Sequence, residues 1–309
     1  MTTLLFEHPA FGQHEMPAGH LECSERYAAV SNALSGEEFS ALVRRAPRRA
    51  ERPEILRAHD VDYVQAIFET APVEGMVRLD PDTFMGPHSL DAVLMAAGAG
   101  VSAVDAIYKG EAQNAFVAAR PPGHHAPKGR AMGFCLFNGA AVAAYHARAA
   151  HGAKRIAVVD FDVHHGNGTE AIFWDDEKAF YASSHEHPQY PGTGRASDRG
   201  GFDNIANAPL ATGSGSEEFR RAWGERLLPA LSQFGPDFIV ISAGFDAHRA
   251  DPLGGLALTE ADFDWATHEI MGVAGALCGG RVVSFLEGGY DPAALAGSAA
   301  AHVAALMAA

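Results

Sequence analysis

Cysteine is scarce in this chain: Cys23, Cys135 and Cys278 are the only three among 309 residues. Their number is odd, their spacings are wide and no CxxC pair occurs, which argues against a disulfide framework and predicts a reducing, cytoplasmic setting. Lys/Arg-rich blocks are also missing. With 23 basic and 38 acidic residues the formal charge is −15, so direct nucleic-acid binding is not expected. The acidic balance would suit a cationic substrate, but it reads first as an ordinary solvated surface. No run approaches about 18 uninterrupted apolar residues, so no membrane span is expected and the Ala-rich segments read as buried helices. The opening MTTLLFEHPAFGQHE has no basic n-region and no long apolar h-region, and does not read as a secretory leader. Internal repeats and low-complexity linkers are absent.

What is present is a composition for a large core: 48% hydrophobic, 20% charged, with 33 glycines. Strand-like runs at Ala115–Ala119, Arg155–Phe161, Ala179–Ser183, Phe238–Ser242 and Val282–Leu286 alternate with longer helical patterns. Those patterns lie at Leu90–Lys109, Leu136–His151, Glu217–Phe234, Glu260–Leu277 and Pro292–Met307. The alternation predicts a single α/β domain over 1–309, with a mostly parallel central sheet and helices on both faces. Gly and Pro cluster at Pro121–Gly133, Tyr190–Gly201 and Asp251–Gly255, which read as loops within that domain.

The segment Arg155 to Thr169, RIAVVDFDVHHGNGT, carries the chemistry. An apolar strand is broken by Asp160 and Asp162, and His164 follows. Strand alternation would put all three on one face. Two carboxylates and an imidazole at a buried strand end need a compensating cation or a hydrogen-bond network. Other polar residues share this address: His124 and His125 in FVAARPPGHHA, Asp246 in FIVISAGFDAH and Tyr290 in VVSFLEGGYD, each just past a strand. Ligands of open α/β sheets bind at that edge.

Asp162, His164 and Asp246 form a three-ligand set that leaves a coordination position free, as catalytic sites do. Oxygen and nitrogen donors without thiolate admit Zn(II), and also Fe(II), Co(II) or Mn(II). Asp160 is a candidate fourth ligand but reads first as a partner that orients a histidine. His124 and His125 suit acid–base work, and Asn167 can accept a hydrogen bond from one of them. Tyr290, after two glycines, can donate to a developing oxyanion. Phe134 and Tyr190, in Gly/Pro-rich loops, can wall an apolar channel. Together these parts predict metal-dependent hydrolysis of an amide.

ARPPGHHA, MGFCLFNGAAVAA, VVDFDVHHGNGTE, SAGFDAHRADPLGG and LEGGYD resemble the histone deacetylase superfamily, most closely its class II-type members and bacterial deacetylase-like amidohydrolases. The resemblance runs from about His20 to the last helix. It implies an arginase/deacetylase-like fold, one catalytic zinc on Asp162, His164 and Asp246, and release of acetate from an N-acetyl amine. By motif position His124 and His125 are the tandem catalytic histidines, paired with Asp160 and Asn167, and Tyr290 is the transition-state tyrosine. It also implies one or two structural potassium ions. The first uses Asp160, Asp162 and His164 with Ser183 and Ser184, and the second uses backbone oxygens near Phe173, Asp176 and Ala179. Gly133, Phe134, Tyr190 and Leu253 fall at the substrate channel, with Arg130 and Arg249 near its entrance. Leu253 stands where polyamine-selective relatives can carry an acid, which favours acyl-lysine or a less charged amide, with an acetylpolyamine or other small amide as the alternative.

Two competing readings remain at this level. An arginase-type ureohydrolase needs further carboxylates for a second metal, but Gly166 and His248 occupy the relevant positions. An acyl-binding scaffold with a dead site is disfavoured by the intact His124, His125 and Tyr290. Physiological substrate and oligomeric state, a homo-oligomer included, are left open by the sequence.

Overall fold

Short apolar runs that are buried on both faces can pair only with one another, and here they build a parallel sheet. The structure is a computed structural model and describes residues 2–309. Its strands are β1 (Thr3–Phe6), β2 (Val43–Arg45), β3 (Val77–Asp80), β4 (Thr83–Met85), β5 (Asn114–Val117), β6 (Ile156–Asp160), β7 (Ala179–Glu186), β8 (Ile205–Leu210), β9 (Phe238–Ala243) and β10 (Val282–Leu286). Strands β3 and β4 form an antiparallel hairpin. The other eight form one sheet in the order β2-β1-β5-β10-β9-β6-β7-β8. All of its pairings are parallel. Their carboxyl ends therefore share one edge, and β5, β10, β9 and β6 are consecutive neighbours at the centre.

Alternate side chains feed two cores. Val117, Val158, Val240 and Val283 face the helices Ser89–Tyr108 and Gly139–His151. Phe116, Val159, Ile239, Ile241 and Val282 face the opposite layer, which contains Glu260–Cys278 and Pro292–Ala308. Ser89–Tyr108 is long and apolar enough to cross a membrane, yet 72% of its apolar window is buried in the protein. A Cβ at Gly98 of this helix would stand 1.9 Å from the Arg48 carbonyl oxygen, so the backbones touch there. Asn138 caps Gly139–His151 by accepting from Ala141 N at 2.9 Å, and Gly152 ends that helix at φ 74°.

The expected parallel sheet and all five long helices are present. The helix expected over Glu217–Phe234 runs from Ser216 and contains a π turn at Trp223–Leu227. Several shorter elements were not anticipated: β1, β2, β8, the β3–β4 hairpin, and the helices Ser24–Ala33, Val61–Thr70 and Asn167–Phe173. β8 is one of the two edge strands and carries Pro209, which an edge tolerates and a central strand does not.

Candidate active site

Beyond β6 the chain leaves the sheet at Asp160, so strand alternation is not what aligns Asp160, Asp162 and His164. A relay of side-chain turns replaces it. Asp160 Oδ1 accepts from Asp162 N at 3.1 Å, and Asp162 Oδ1 accepts from His164 N at 2.9 Å. Each carboxylate folds back on the amide two residues later, which is the habit of Asp in loops. The other oxygens are fixed across the sheet: Asp162 Oδ2 accepts from Gly288 N and Asp246 Oδ1 from Val163 N, both at 2.8 Å.

These bonds bring His164 Nδ1 to 3.2 Å from Asp162 Oδ1 and 3.1 Å from Asp246 Oδ2. All three ligand groups are buried. Glycines make the room: a Cβ at Gly244 or Gly288 would stand 2.0 Å from Asp162 Oδ2 or Asp246 Oδ2 respectively. Burial opposes charge on His164, but its bonds to both aspartates push it up to about 10. Burial and the charge of Asp162 push Asp246 up to about 7. The set is short of positive charge, and its oxygen and nitrogen donors converge within 4.8 Å of one another. That arrangement fits a divalent cation held by Asp162, His164 and Asp246.

The tandem histidines arrive on the loop after β5. His124 Nδ1 lies 3.0 Å from Asp160 Oδ2, and His125 Nδ1 lies 2.8 Å from Asn167 Oδ1. The two partners differ in charge. For His124, burial is outweighed by Asp162 and Asp160, which hold it well above the usual imidazole value. His125 is held well below that value by burial and by the neighbouring His124 and His164. Gly133 turns at φ 56° against this ring, where a Cβ would stand 2.5 Å from His125 Cδ2. Phe134 follows at φ 67°, a left-handed conformation that a phenylalanine adopts only under constraint.

Tyr290 follows Gly289, whose φ of 121° suits glycine alone. Its backbone N donates to Asp251 Oδ2 at 2.6 Å, and Asp291 then caps the helix Pro292–Ala308 through Ala294 N at 2.8 Å. Beneath the phenol lies Arg26, its guanidinium carbon 4.8 Å from the ring centroid. Arg26 also donates to the carbonyls of Gly289 and Glu287 and to Glu22. Burial favours the neutral form of Glu22, but Arg120 and His14 hold it down to about 2.

His125, His164 and Tyr290 meet at a cavity of about 220 Å³ that is also lined by Asp82, Gly133, Phe134, Gln189, Tyr190 and Leu253. The expected channel residues Gly133, Phe134, Tyr190 and Leu253 are therefore together. Tyr190 stands edge-on to His125 with centroids 5.1 Å apart. Arg130 and Arg249 are exposed, and neither is among the lining residues. Sequence reading missed Asp82, on the β3–β4 turn, and Glu287, whose Oε2 accepts from the backbone N–H groups of Gly123 and His124. Nothing local to either residue signals a partner so far along the chain. Glu22 and Arg26 lie in GHLECSERY, where the family resemblance begins, and the sequence assigned neither a role.

The residues expected at a potassium ion are differently engaged. Ser183 Oγ lies 2.9 Å from His185 Nδ1, and Ser184 Oγ accepts the Trp223 indole N–H at 3.0 Å, a contact made by the π turn. Asp160 Oδ2 accepts from Tyr181 OH as well as facing His124. A second cluster, Asp105 with His146 and His151, lies away from this cavity. Arg57 donates to His146 Nδ1, which leaves the proton on Nε2 to donate to Asp105, so this cluster is closed as a hydrogen-bond network.

Residues 20–306 match the family model of the histone deacetylase domain. The chain is 39% identical over 292 residues to the uncharacterized protein slr0245 of Synechocystis, covering 93% of this chain and 94% of that one. It is 39% identical to histone deacetylase 14, chloroplastic, of Arabidopsis thaliana, covering 93% and 73%. It is 38% identical to a histone deacetylase-like amidohydrolase of Pseudomonas aeruginosa, covering 89% and 74%. Among solved structures, the HD domain of HDA15 superposes with a TM-score of 0.93 at 36% identity, covering 99% of this chain and 88% of that one.

Proposed function

This chain belongs to the histone deacetylase family, and from that premise we propose that it is a zinc-dependent amide deacylase acting on acetyl-lysine-type substrates and releasing acetate. One observation carries the reading: His164, whose Nδ1 converges with Asp162 and Asp246, lines the same cavity as His125 and Tyr290. When bound there, Zn(II) supplies Lewis acidity toward the amide carbonyl and toward water.

The protein's own groups supply the remaining steps. The carbonyl oxygen of Asn167 can only accept, so His125 carries its proton on Nδ1 and keeps the Nε2 lone pair free. His125 lines the cavity and takes the proton of the attacking water. As an imidazolium it then returns a proton to the departing amine. His124 does not line the cavity, and its role is to hold charge beside the site through Asp160. The Tyr290 hydroxyl donates to the oxyanion that forms on the acyl carbon. Phe134 and Tyr190 exclude water around the alkyl chain, and Asp82 adds a carboxylate acceptor to the lining.

Leu253 among the lining residues supports acyl-lysine over a polyamine, because an aliphatic side chain offers no counter-charge to a distant ammonium. For a potassium ion at Asp160, Ser183 and Ser184 the support is family membership alone, since both hydroxyls already hold partners. A cytoplasmic location is part of the same reading and rests on the cysteine usage.

The test is turnover of acylated lysine peptides, acetylated polyamines and small acetanilides by protein loaded with one equivalent of zinc, with acetate quantified. Acetate release from the lysine substrates that disappears on chelation supports the reading. Zinc-loaded protein that turns over none of the panel overturns it.

A further inference from the structure

Three backbone carbonyls converge where the helix Asn167–Phe173 gives way to β7. Asn204 Nδ2 stands at their meeting point, 2.9 Å from Phe173 O, 3.2 Å from Asp176 O and 2.8 Å from Ala179 O. Asn204 is buried. Its Oδ1 accepts from Phe202 N at 3.3 Å, which fixes the nitrogen toward the ring. Turning the amide over would set Oδ1 against three carbonyl oxygens. Gly200 holds the amide in place, since a Cβ there would stand 2.4 Å from Oδ1. The Asn204 carbonyl also accepts from Tyr181 N at 3.0 Å, so its backbone is locked in the β7–β8 ladder.

Phe173 O and Asp176 O each accept one backbone N–H, from Asp176 and Ala179 at 3.0 Å, and the lone pairs that converge on Asn204 still call for a donor or a cation. Rings of backbone carbonyls hold monovalent cations by replacing their hydration shell. The carbonyls of Phe173, Asp176 and Ala179 are those at which the sequence resemblance suggests a second monovalent cation. We propose that in this chain the Asn204 amide takes that cation's place, closing the carbonyl ring so that the turn into β7 holds without a monovalent ion. An amide has two protons for three oxygens, and the longest contact, to Asp176 O, is the one it shares. A corollary follows from the same geometry. Removing the amide leaves three converging carbonyls, those of the buried Phe173 and Ala179 and the half-buried Asp176, and the spot between them becomes a site for an ion of the potassium class. This inference is independent of the deacylase reading, because the ring contains no residue of the cavity.

The experiment is anomalous diffraction from crystals of the wild type and of Asn204→Ala grown with thallium(I), a potassium mimic. The expected result is no peak at the carbonyl ring in the wild type and a peak there in the variant. A peak at the ring in the wild type, with Asn204 turned away, overturns the proposal. Absence of a peak in both proteins also overturns it, since the ring would then be no cation cradle. In solution, potassium chloride against choline chloride at equal ionic strength should raise the melting temperature of Asn204→Ala by more than that of the wild type. If Asn204→Ala does not fold, Asn204→Ser is measured in the same way, and equal potassium responses in variant and wild type count against the proposal.

Discussion

Glu287 Oε2 holds the backbone N–H of His124 at 3.1 Å and that of Gly123 at 2.6 Å, so one buried carboxylate from β10's end sets the loop that carries His124 and His125. Its Oε1 accepts from Ser242 Oγ at 3.2 Å, which ties the same group to β9. Replacing Glu287 with Ala frees the loop and leaves two buried N–H groups unpaired. Glu287→Ala should lower kcat by roughly 10²-fold, the scale of an ångström-sized misplacement of catalytic groups. Glu287→Gln keeps an acceptor oxygen and should retain more activity. Steady-state kinetics with zinc analysis checks this. Unchanged kcat in the alanine variant would remove the positioning role.

Tyr290→Phe deletes the hydroxyl and leaves the ring over Arg26. Loss of one oxyanion donor should reduce kcat by about 10²- to 10³-fold with zinc content intact. A near-wild-type rate would take the phenol out of the mechanism.

Asp246→Ala removes a ligand oxygen and the acceptor of Val163 N. Zinc content and activity should fall together, read by metal analysis after dialysis against a weak chelator. Stoichiometric zinc surviving in this variant would contradict the assigned ligand set.

His302 is buried between Thr267 Oγ1 at 2.6 Å and Ser284 Oγ at 2.8 Å, and burial holds it down to about 3. A histidine depressed in the folded state favours the neutral form, so its stabilisation is complete above the unfolded value near 6.5 and is lost as pH falls below it. Between pH 8 and pH 5 the loss is about 2 kcal/mol. Glu287, pushed up to about 7 by burial, runs the other way, since the folded state then binds its proton more readily. The difference between wild type and His302→Gln isolates the histidine. Urea denaturation should show the gap between the two proteins narrowing by about 2 kcal/mol from pH 8 to pH 5. A constant gap would mean that His302 titrates normally.

The central strands and long helices were legible because burial on both faces leaves an unbroken apolar run, as in Phe238–Ala243 and Val282–Leu286. Thr3–Phe6 and Ile205–Leu210 were not, since four residues, or a run of small residues broken by Pro209, carry little periodic signal. The candidate ligands and Tyr290 stood out through their motifs. Their alignment was attributed to a strand, whereas Asp160 and Asp162 produce it by turning back on later amides. Glu287, Asp82 and Asn204 act across the sheet or between loops, on partners that no local pattern names.

The position of β10 bears on how the protein is made. It slots between β5 and β9, although it is the last strand to leave the ribosome. Until Val282–Leu286 has been synthesised, the sheet has a gap in its middle. The loop of His124 and His125 then lacks the carboxylate of Glu287, and the cavity lacks Tyr290. A nascent chain is thus expected to be inactive until β10 has emerged, and any product cut short before Val282 would be two half-sheets with no shared seam.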